Sequence, residues 1–332
     1  MSVNFWRRLS QIIFFILLIY GGFIFKTAVS DKQQDTKQPL KSESIAWVPK
    51  APAVIDAYVP STVCKFTAKG GLVTACPVYF LTDSLTFLTA IKYLLFYILI
   101  LLILGFLMSK LWCGWICPLG SIEDAINYIR KKLGFDYITF SKKTHKIIEI
   151  SKYTLLGLAL IISALIAIPA LKDYQCYMFL PYCQICPARI IYPVFGGTTA
   201  KINDFTNFTS TTFTVLAWSF LLIFILASLF GRRIWCRLCP ISACHEFFNR
   251  GGAVELTKDT IKCNRCGICA YSCPVEYKEV YEEKQKSNIS HRDCILCLRC
   301  VELCPKKDCL QHKFFCKKII GSSFKSHKFK KS

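Results

Sequence analysis

The chain has few histidines, and none of the five lies in a long apolar run: His145, His245, His291, His312 and His327. A haem buried in a bilayer is usually held by axial histidines from the spanning helices, so this distribution argues against a b-type cytochrome. The sequence also lacks a nucleophile elbow, a phosphate-binding loop and a dinucleotide fingerprint. The motifs that would identify a hydrolase or a nucleotide-dependent enzyme of those classes are therefore missing.

Acidic residues are also scarce: 21 Asp and Glu stand against 42 Lys and Arg, which gives a net charge of +21. Such an excess is typical of proteins that bind nucleic acid. Here the inference is weak, because the chain also contains 20 cysteines. Thiolates that ligate an iron–sulfur cluster add negative charge that cancels part of the excess. No nucleic-acid partner is expected.

Eight cysteines near the C-terminus form two copies of the spacing C-x2-C-x2-C-x3-C, each followed by proline. This run is typical of cubane [4Fe–4S] sites, in which three close thiolates hold one cluster and the fourth reaches the other. Structural zinc prefers two separated pairs of ligands, so the spacing disfavours it. The first ferredoxin group is predicted to be Cys263, Cys266, Cys269 and Cys304. The second ferredoxin group is predicted to be Cys294, Cys297, Cys300 and Cys273.

Hydrophobic residues make up 53% of the chain and are gathered into long runs. Four of these approach membrane-spanning length: Leu9–Phe25, Leu85–Met108, Tyr153–Leu171 and Phe213–Phe230. A helix of about 20 residues crosses the ~30 Å hydrocarbon layer. The expected fold is an α-helical membrane protein with four transmembrane helices as two repeated hairpins, plus a small α+β two-cluster ferredoxin domain. The first run has a signal peptide as its alternative, with Ala28-Val29-Ser30 as a cleavage-like site.

Three domains are expected: a membrane domain over 1–245, a ferredoxin domain over 246–305 and a basic tail over 306–332. Basic residues concentrate before the first apolar run, between the second and third, and after the fourth. The positive-inside rule then places both termini in the cytoplasm of a bacterial cell, with the helices in its inner (plasma) membrane. The tail is expected to be a solvated segment, or a strip that contacts anionic lipid or an acidic redox partner.

Two further cysteine pairs end in Cys-Pro at the cytoplasmic ends of the second and fourth apolar runs. Each pair is directly preceded by a tryptophan, a residue that favours the membrane–water boundary. Four thiolates on one membrane face are enough for one shared cluster. A third [4Fe–4S] site, the inner group, is therefore predicted at Cys113, Cys117, Cys236 and Cys239. Free buried thiols are the alternative.

The opposite face of the membrane is expected to hold an outer group: Cys64, Cys76, Cys183 and Cys186. Cys76 and Cys186 again precede proline, so each half of the membrane domain has the order helix, outer Cys-Pro, helix, inner Cys-Pro. This order indicates an internal duplication that relates Met1–Gly120 to Lys146–Cys244. The outer group is predicted to hold a fourth cluster, with disulfides in an oxidising compartment as the alternative.

The four apolar runs, the two inner motifs and the duplicated ferredoxin run together resemble the NapH/MauN-type membrane ferredoxins. These are related to the membrane halves of NosR-like and CcoG-like proteins. The resemblance covers the chain from the first apolar run to about Cys304. Cys113 and Cys117 match the C-x3-C-P motif of that family, whereas Cys236 and Cys239 depart from it as C-x2-C-P. The outer group is not part of the family's pattern.

The resemblance implies a subunit of an inner-membrane quinol dehydrogenase. The predicted function is the passage of electrons between the quinol pool and a reductase or cytoplasmic partner. Quinol is the expected donor, because its two electrons can be divided among one-electron clusters. A ferredoxin-type or terminal reductase subunit is the expected protein partner. The alternative is a CcoG-like assembly or maturation factor that uses its clusters to reduce a metal or a thiol.

Overall fold

The structure of the chain is a computed structural model, and it covers most of the membrane and ferredoxin segments. The described residues are 2–24, 64, 76–87, 91–168, 171, 180–195, 203, 205, 207–249, 251–285, 287–290 and 293–322.

The described part of the membrane domain is helical. Its helices are α1 (Val3–Ile24), α2 (Pro77–Phe87), α3 (Ile91–Met108), α4 (Pro118–Lys132), α5 (Lys142–Ile166), α6 (Pro181–Ile185), α7 (Ala188–Phe195), α8 (Phe208–Phe230), α9 (Ile234–Leu238) and α10 (Pro240–Glu246). A π-helical turn, Trp112–Ile116, precedes α4, and a 3-10 turn, Phe247–Asn249, follows α10.

Three of these helices, α1, α5 and α8, are long and apolar enough to span a membrane. Their large apolar side chains remain exposed, as at Leu158 and Leu222, which is the pattern of helices that face lipid. The predicted single helix over Leu85–Met108 is wrong, because the run is divided between α2 and α3. Within α3 the apolar stretch Tyr97–Met108 is shorter than the other spans. The arrangement of four spanning helices as two hairpins therefore stays a prediction.

The short helices α2 and α6 do not lie along the surface of the domain but pack among the long ones. The α2 helix contacts α3, α5 and α10, and α6 lies between α5 and α8. The core that results contains Ile19 from α1, Phe224 from α8 and Trp235 from α9, each at most 3% exposed. Segments from the two predicted faces of the domain thus meet in one interior.

Proline determines where several of the short helices begin. The α2, α4 and α10 helices start at Pro77, Pro118 and Pro240, a position that suits proline because the first N–H of a helix has no intrahelical partner. The residue before proline is held extended, and Cys117 (φ −60°, ψ 120°) and Cys239 (φ −64°, ψ 127°) have this conformation. Each Cys-Pro pair therefore places a thiol at the N-terminus of a helix.

The ferredoxin domain combines short helices with an antiparallel sheet. Its elements are β1 (Val254–Lys258), α11 (Ile268–Tyr271), α12 (Glu279–Glu282), α13 (Arg299–Leu303), β2 (Leu310–Phe314) and β3 (Lys317–Gly321). The strand order is β1-β2-β3, and Leu256 of β1 lies opposite His312 of β2. Val254, Leu256, Val301 and Leu310 form the centre of its core.

The expectation of a separate basic tail from residue 306 is wrong as far as Gly321. Both β2 and β3 lie in that segment and supply two strands of the three-stranded sheet. The physical reason is burial: Cys309 and Leu310 are each 2% exposed and belong to the ferredoxin core. The lysines of this segment lie on the exposed side of the hairpin, where they do not interrupt the sheet. The remainder, residues 323–332, lies outside the described residues.

The ferredoxin domain packs against the same end of the bundle as the start of α1. Asn4 donates its backbone N–H to Glu302 of α13 at 3.0 Å, and Val3 packs against the ferredoxin core. The Asn249 side chain, at the end of the membrane domain, donates to the carbonyl of Cys294 at 2.7 Å. The start of α1 and the ferredoxin domain therefore share one side of the molecule.

We expect a chain that ends after Lys306 to lose the iron of both ferredoxin groups, which is roughly half of the iron of a four-cluster protein. Removal of β2 and β3 leaves β1 without a partner strand and uncovers the core around Leu256. Iron per chain on anaerobically purified protein measures this loss. A chain that ends after Ser322 retains the whole sheet and is the control. Full iron content in the shorter chain would contradict the structural role of the hairpin.

Candidate iron–sulfur centres

The two ferredoxin loops have the same backbone conformation at corresponding positions. Arg265 (φ 52°) and Gly267 (φ 76°) in the first loop are left-handed, as are Leu296 (φ 49°) and Leu298 (φ 59°) in the second. This conformation costs a residue with a Cβ about 1–2 kcal/mol. Three such residues in the two cysteine loops therefore indicate a functional constraint. The loops are thus built alike, as expected if both surround the same type of cofactor.

The structure brings together the members of each predicted ferredoxin group. One small cavity is lined by all four members of the first group, including Cys304 from the second sequence repeat. The thiol of Cys300 lies within electrostatic range of Cys297, Cys294 and Cys273, the other members of the second group. The exchange of the fourth cysteine between the two repeats is therefore present in the fold.

Burial, followed by the negative charge of Cys297, raises the pKa of the Cys273 and Cys294 thiols to about 12. A buried thiol stays protonated unless a cation compensates the thiolate. Iron would supply that charge. Among the described residues, no three His, Cys, Asp or Glu side chains converge as the ligands of a single metal ion do. A cubane cluster instead needs four thiolates spread around a body of several atoms.

The inner group is also assembled in the fold. All four of its cysteines are less than 10% exposed: Cys113, Cys117, Cys236 and Cys239. The thiol of Cys236 lies within electrostatic range of Cys117 and Cys113, and the thiol of Cys239 within range of the same two. The two motifs, far apart in the chain, thus face each other in the fold and bring four thiols to one place.

The outer group does not lie on the opposite face, away from the inner motifs, and that expectation is wrong. Cys76 and Cys186 belong to the same hydrophobic core as Cys117 and Cys239 of the inner group. Cys64 packs against this core, while Cys183 lies in a small adjoining cluster with Leu180 and Tyr79. The physical reason is that α2 and α6 fold into the bundle and carry their cysteines with them.

The alternative of disulfides in the outer group is not seen among the described residues. No disulfide bond joins Cys64, Cys76, Cys183 and Cys186 among the residues that the structure describes. The thiols of Cys76 and Cys186 lie within electrostatic range of each other, and Tyr192 lies within range of both as well as of Cys64.

A buried ion pair that the sequence analysis missed joins the two inner motifs. Arg233, at 0% exposure, donates from Nε to Asp124 Oδ1 at 2.9 Å and from Nη2 to Asp124 Oδ2 at 2.5 Å. The same guanidinium donates to the carbonyls of Cys113 and Gly120, each at 3.2 Å. The segment before the second inner motif is thereby fixed to both ends of the first.

Asp124 is held in its charged form by several neighbours. Burial alone would raise the pKa of its carboxyl, but the guanidinium of Arg233, followed by that of Arg7, lowers it well below the usual range. The Gln11 amide donates to Asp124 Oδ2 at 3.0 Å and to the Gly114 carbonyl at 3.1 Å. The neighbouring Glu123, at 0% exposure, accepts from the backbone N–H of Trp235 at 2.9 Å and lies 3.0 Å from Cys236 Sγ.

A second buried charge network links the inner group to the second ferredoxin group. Lys110 and Lys152, both at most 1% exposed, each contact Glu246, and Lys152 also contacts Asp293 at 3.3 Å. Asp293 directly precedes Cys294 in the chain. From the sequence alone, these lysines and arginines were interpreted only as the basic residues of cytoplasmic loops. The acidic pair Glu123-Asp124, five residues after Pro118 of the first inner motif, was the signal that could have indicated buried partners.

Comparison with known proteins supports an iron–sulfur function for both halves of the chain. A family model described as a 4Fe-4S binding domain matches twice, at residues 89–136 and 212–257. A model described as a 4Fe-4S dicluster domain matches residues 255–305. The first double match covers the two inner motifs, and the second model covers the ferredoxin cysteines. The cysteine motifs of both halves therefore lie in segments that are similar to known [4Fe–4S]-binding domains.

Among curated proteins, the ferredoxin-type protein NapH of Haemophilus influenzae is 28% identical over 233 residues, which is 68% of each chain. NapH of Escherichia coli is 26% identical over 201 residues, 59% of each chain. The methylamine utilization ferredoxin-type protein MauN of Methylobacillus flagellatus is 24% identical over 169 residues, 50% of this chain and 48% of the relative.

The resemblance to the NapH/MauN-type ferredoxins is confirmed. The chain spans about half to two thirds of the length of these three relatives. No solved structure is similar to it at a significant level.

We expect Arg233→Ala to destabilise the protein by about 3–5 kcal/mol, because it leaves the buried Asp124 carboxylate without its main partner. The loss should appear as a lower thermal unfolding temperature in detergent and as release of iron from the inner group. Lys142→Ala is the matched control: it removes a 3.0 Å ion pair with Glu282 at the surface, where Lys142 is 79% exposed. Such a pair contributes only about 0–1 kcal/mol. Equal stability of both variants would contradict the structural role of Arg233.

Proposed function

We propose that this protein passes electrons between the membrane quinol pool and a cytoplasmic redox partner through four [4Fe–4S] clusters in one row. The similarity to the ferredoxin-type proteins NapH, NirI and NosR supports an iron–sulfur electron carrier. Each cysteine group is proposed to hold one cluster, in the order first ferredoxin group, second ferredoxin group, inner group and outer group. The observation that carries it is the proximity of successive groups, whose cysteines lie within electrostatic range of one another or share a hydrophobic cluster.

The two ferredoxin groups adjoin each other within the ferredoxin domain. The thiol of Cys300 in the second group lies within electrostatic range of Cys269 in the first. In the first group Cys266 is exposed, whereas in the second Cys297 is 7% exposed and faces the membrane domain. The first ferredoxin group is therefore the one open to a soluble partner.

The second ferredoxin group adjoins the inner group across the domain interface. Cys113 of the inner group shares a hydrophobic cluster with Cys297, and Cys273 packs against this cluster. The indole N–H of Trp115, in the first inner motif, donates to the Leu296 carbonyl at 3.0 Å. Trp115 thus holds the first inner motif against the second ferredoxin loop.

The inner group adjoins the outer group inside the bundle. The thiol of Cys239 lies within electrostatic range of Cys186, and the thiol of Cys76 within range of Cys117. Had the two groups stood on opposite faces, ~30 Å of hydrocarbon would separate them with no haem between. The re-entry of α2 and α6 removes that gap and supports a continuous electron path.

Quinol is proposed as the membrane substrate because it dissolves in the bilayer and its two electrons can be divided among one-electron carriers. The chain's own residues set the environment of each group. Arg233, Lys110 and Lys152 place buried positive charge beside the inner and second ferredoxin groups. Such charges favour the more negative, reduced state of a thiolate-ligated cluster, while burial opposes it. An inner-membrane location with both termini in the cytoplasm is part of the same proposal, supported by the distribution of basic residues.

We expect anaerobically purified protein to contain about 16 iron atoms per chain, and its clusters to become reduced when menaquinol is added. Iron and acid-labile sulfide measure the first quantity, and EPR spectroscopy measures the second. The double variant Cys76→Ser/Cys186→Ser should lose about four irons, whereas the control Cys316→Ser, at an exposed cysteine outside the four groups, should lose none. About eight irons and no response to menaquinol would contradict the proposal.

We expect Gly114→Ala to slow electron transfer between the inner and second ferredoxin groups. A Cβ at this position would stand 2.3 Å from the Ile295 carbonyl oxygen, so the two loops must separate. Overpacking of this kind costs about 1–3 kcal/mol. Gly157→Ala is the control, since a Cβ there meets nothing within 4 Å. Rapid-freeze EPR after a menaquinol pulse should show the delay with iron content unchanged. Equal rates in both variants would count against electron passage at this contact.

A further inference from the structure

A large cavity lies where the membrane domain meets the ferredoxin domain, and none of the cysteine groups uses it. Its volume is about 950 Å³. Residues from α1, α4 and the end of α7 line it on the membrane side, and Tyr271, Ser272, Pro274, Arg299 and Leu303 line it on the ferredoxin side. It therefore bridges the two domains at the level where α1 leaves the ferredoxin domain.

The lining of this interdomain cavity is divided into an apolar part and a strongly basic part. Ile12, Phe15 and Phe195 represent the apolar part, in the helices of the membrane domain. The basic part has six cations, and Asp124 is the one acid among the described residues that line the cavity. Its cations are Arg7, Arg8, Arg130, Lys131, Arg232 and Arg299. A ligand that matches both parts is an amphiphile with a negative head group.

Two of these arginines have buried donors without partners. Arg7 is 3% exposed and Arg130 is 2% exposed, and Nε and Nη1 of each have no hydrogen-bond acceptor. Arg7 contacts Asp124 at 3.3 Å through Nη2 only. The guanidinium of Arg130 lies 4.9 Å from the Tyr137 ring centroid and forms no ion pair among the described residues. Buried donors of this kind are costly unless an acceptor satisfies them.

The cations also face one another across the domain interface. Burial lowers the pKa of Lys131, and the positive charges of Arg299, Arg232, Arg130 and Arg8 lower it further. Arg299 belongs to the ferredoxin domain and the other three to the membrane domain. Contact between the domains thus concentrates like charge, and an anion bound between them would remove that repulsion.

We propose that this cavity binds an anionic phospholipid, with its phosphate among the arginines and its acyl chains along the apolar part. The cytoplasmic leaflet supplies such lipids, and Lys and Arg at its surface attract them. A neutral quinone would fill the apolar part but leave the arginine donors without an acceptor, and free phosphate would leave the apolar part unfilled. The bound lipid joins the ferredoxin domain to the membrane domain.

Native mass spectrometry of the full, cluster-loaded chain in a neutral detergent tests the proposal. The probes are phosphatidylglycerol, phosphatidylcholine with the same acyl chains, menaquinone and inorganic phosphate, and the thermal unfolding temperature is recorded with each. We expect one phosphatidylglycerol per chain to be retained and to raise the unfolding temperature, with no such effect of phosphatidylcholine or phosphate.

Two variants and a control locate the site. Arg130→Gln removes one cation that has no ion pair, and should weaken phosphatidylglycerol binding about fivefold. Ile12→Trp fills the apolar part without any change of charge, and should also weaken it. Lys146→Gln removes an exposed lysine at the start of α5 that does not line the cavity, and should leave binding unchanged.

Equal binding of phosphatidylglycerol and phosphatidylcholine, or no effect of Arg130→Gln, would overturn the proposal. Displacement of phosphatidylglycerol by menaquinone would assign the cavity to quinone instead, and equal stabilisation by phosphate would assign the basic part to a free anion. Cluster reduction by menaquinol, measured on the same samples, is independent of these results. Its failure would affect the proposed electron path and leave the lipid site standing.

Discussion

The buried ion pair between Arg233 and Asp124 is the interaction on which the arrangement of the cysteine motifs depends. Asp124 lies in α4, which follows the first inner motif, and Arg233 lies three residues before Cys236 of the second. Their contact therefore joins the two halves of the membrane domain. Removing two charges from water is costly, and such a pair persists only where further hydrogen bonds satisfy it. Gln11 and the carbonyls of Cys113 and Gly120 supply those bonds.

The same charges give a physical account of the composition. The chain has twice as many basic as acidic residues, yet several of the basic ones lie in the interior beside cysteine groups rather than on the surface. Buried thiols need compensating positive charge to ionise, and thiolate-ligated clusters carry negative charge that buried cations stabilise. Lys110 and Lys152 place such positive charge at the interface between the membrane domain and the second ferredoxin group. Basic residues therefore contribute to the cofactor sites as well as to membrane orientation.

The sequence was sufficient to predict the parts whose signal is local. The ferredoxin spacing predicted two cysteine groups, and the exchange of Cys273 and Cys304 between them agrees with the thiol neighbours in the fold. Apolar runs predicted α1, α5 and α8 because helix length follows directly from the thickness of the bilayer.

What the sequence could not predict depends on tertiary packing. The sequence of a Cys-Pro pair is the same whether the helix after it lies on the surface or enters the bundle. The sequence therefore did not predict that Cys76 and Cys186 lie beside the inner group. The β2–β3 hairpin was not predicted because its segment is rich in lysine. Lysines occur on exposed strands as readily as in a solvated tail, so they did not distinguish the two.

The most direct test of the account is an anaerobic cryo-EM map of the iron-loaded protein. The account predicts four clusters in one row, with the third and fourth adjacent inside the bundle. Clusters confined to the ferredoxin domain, or an outer cluster separated from the inner one by the width of the membrane, would contradict it.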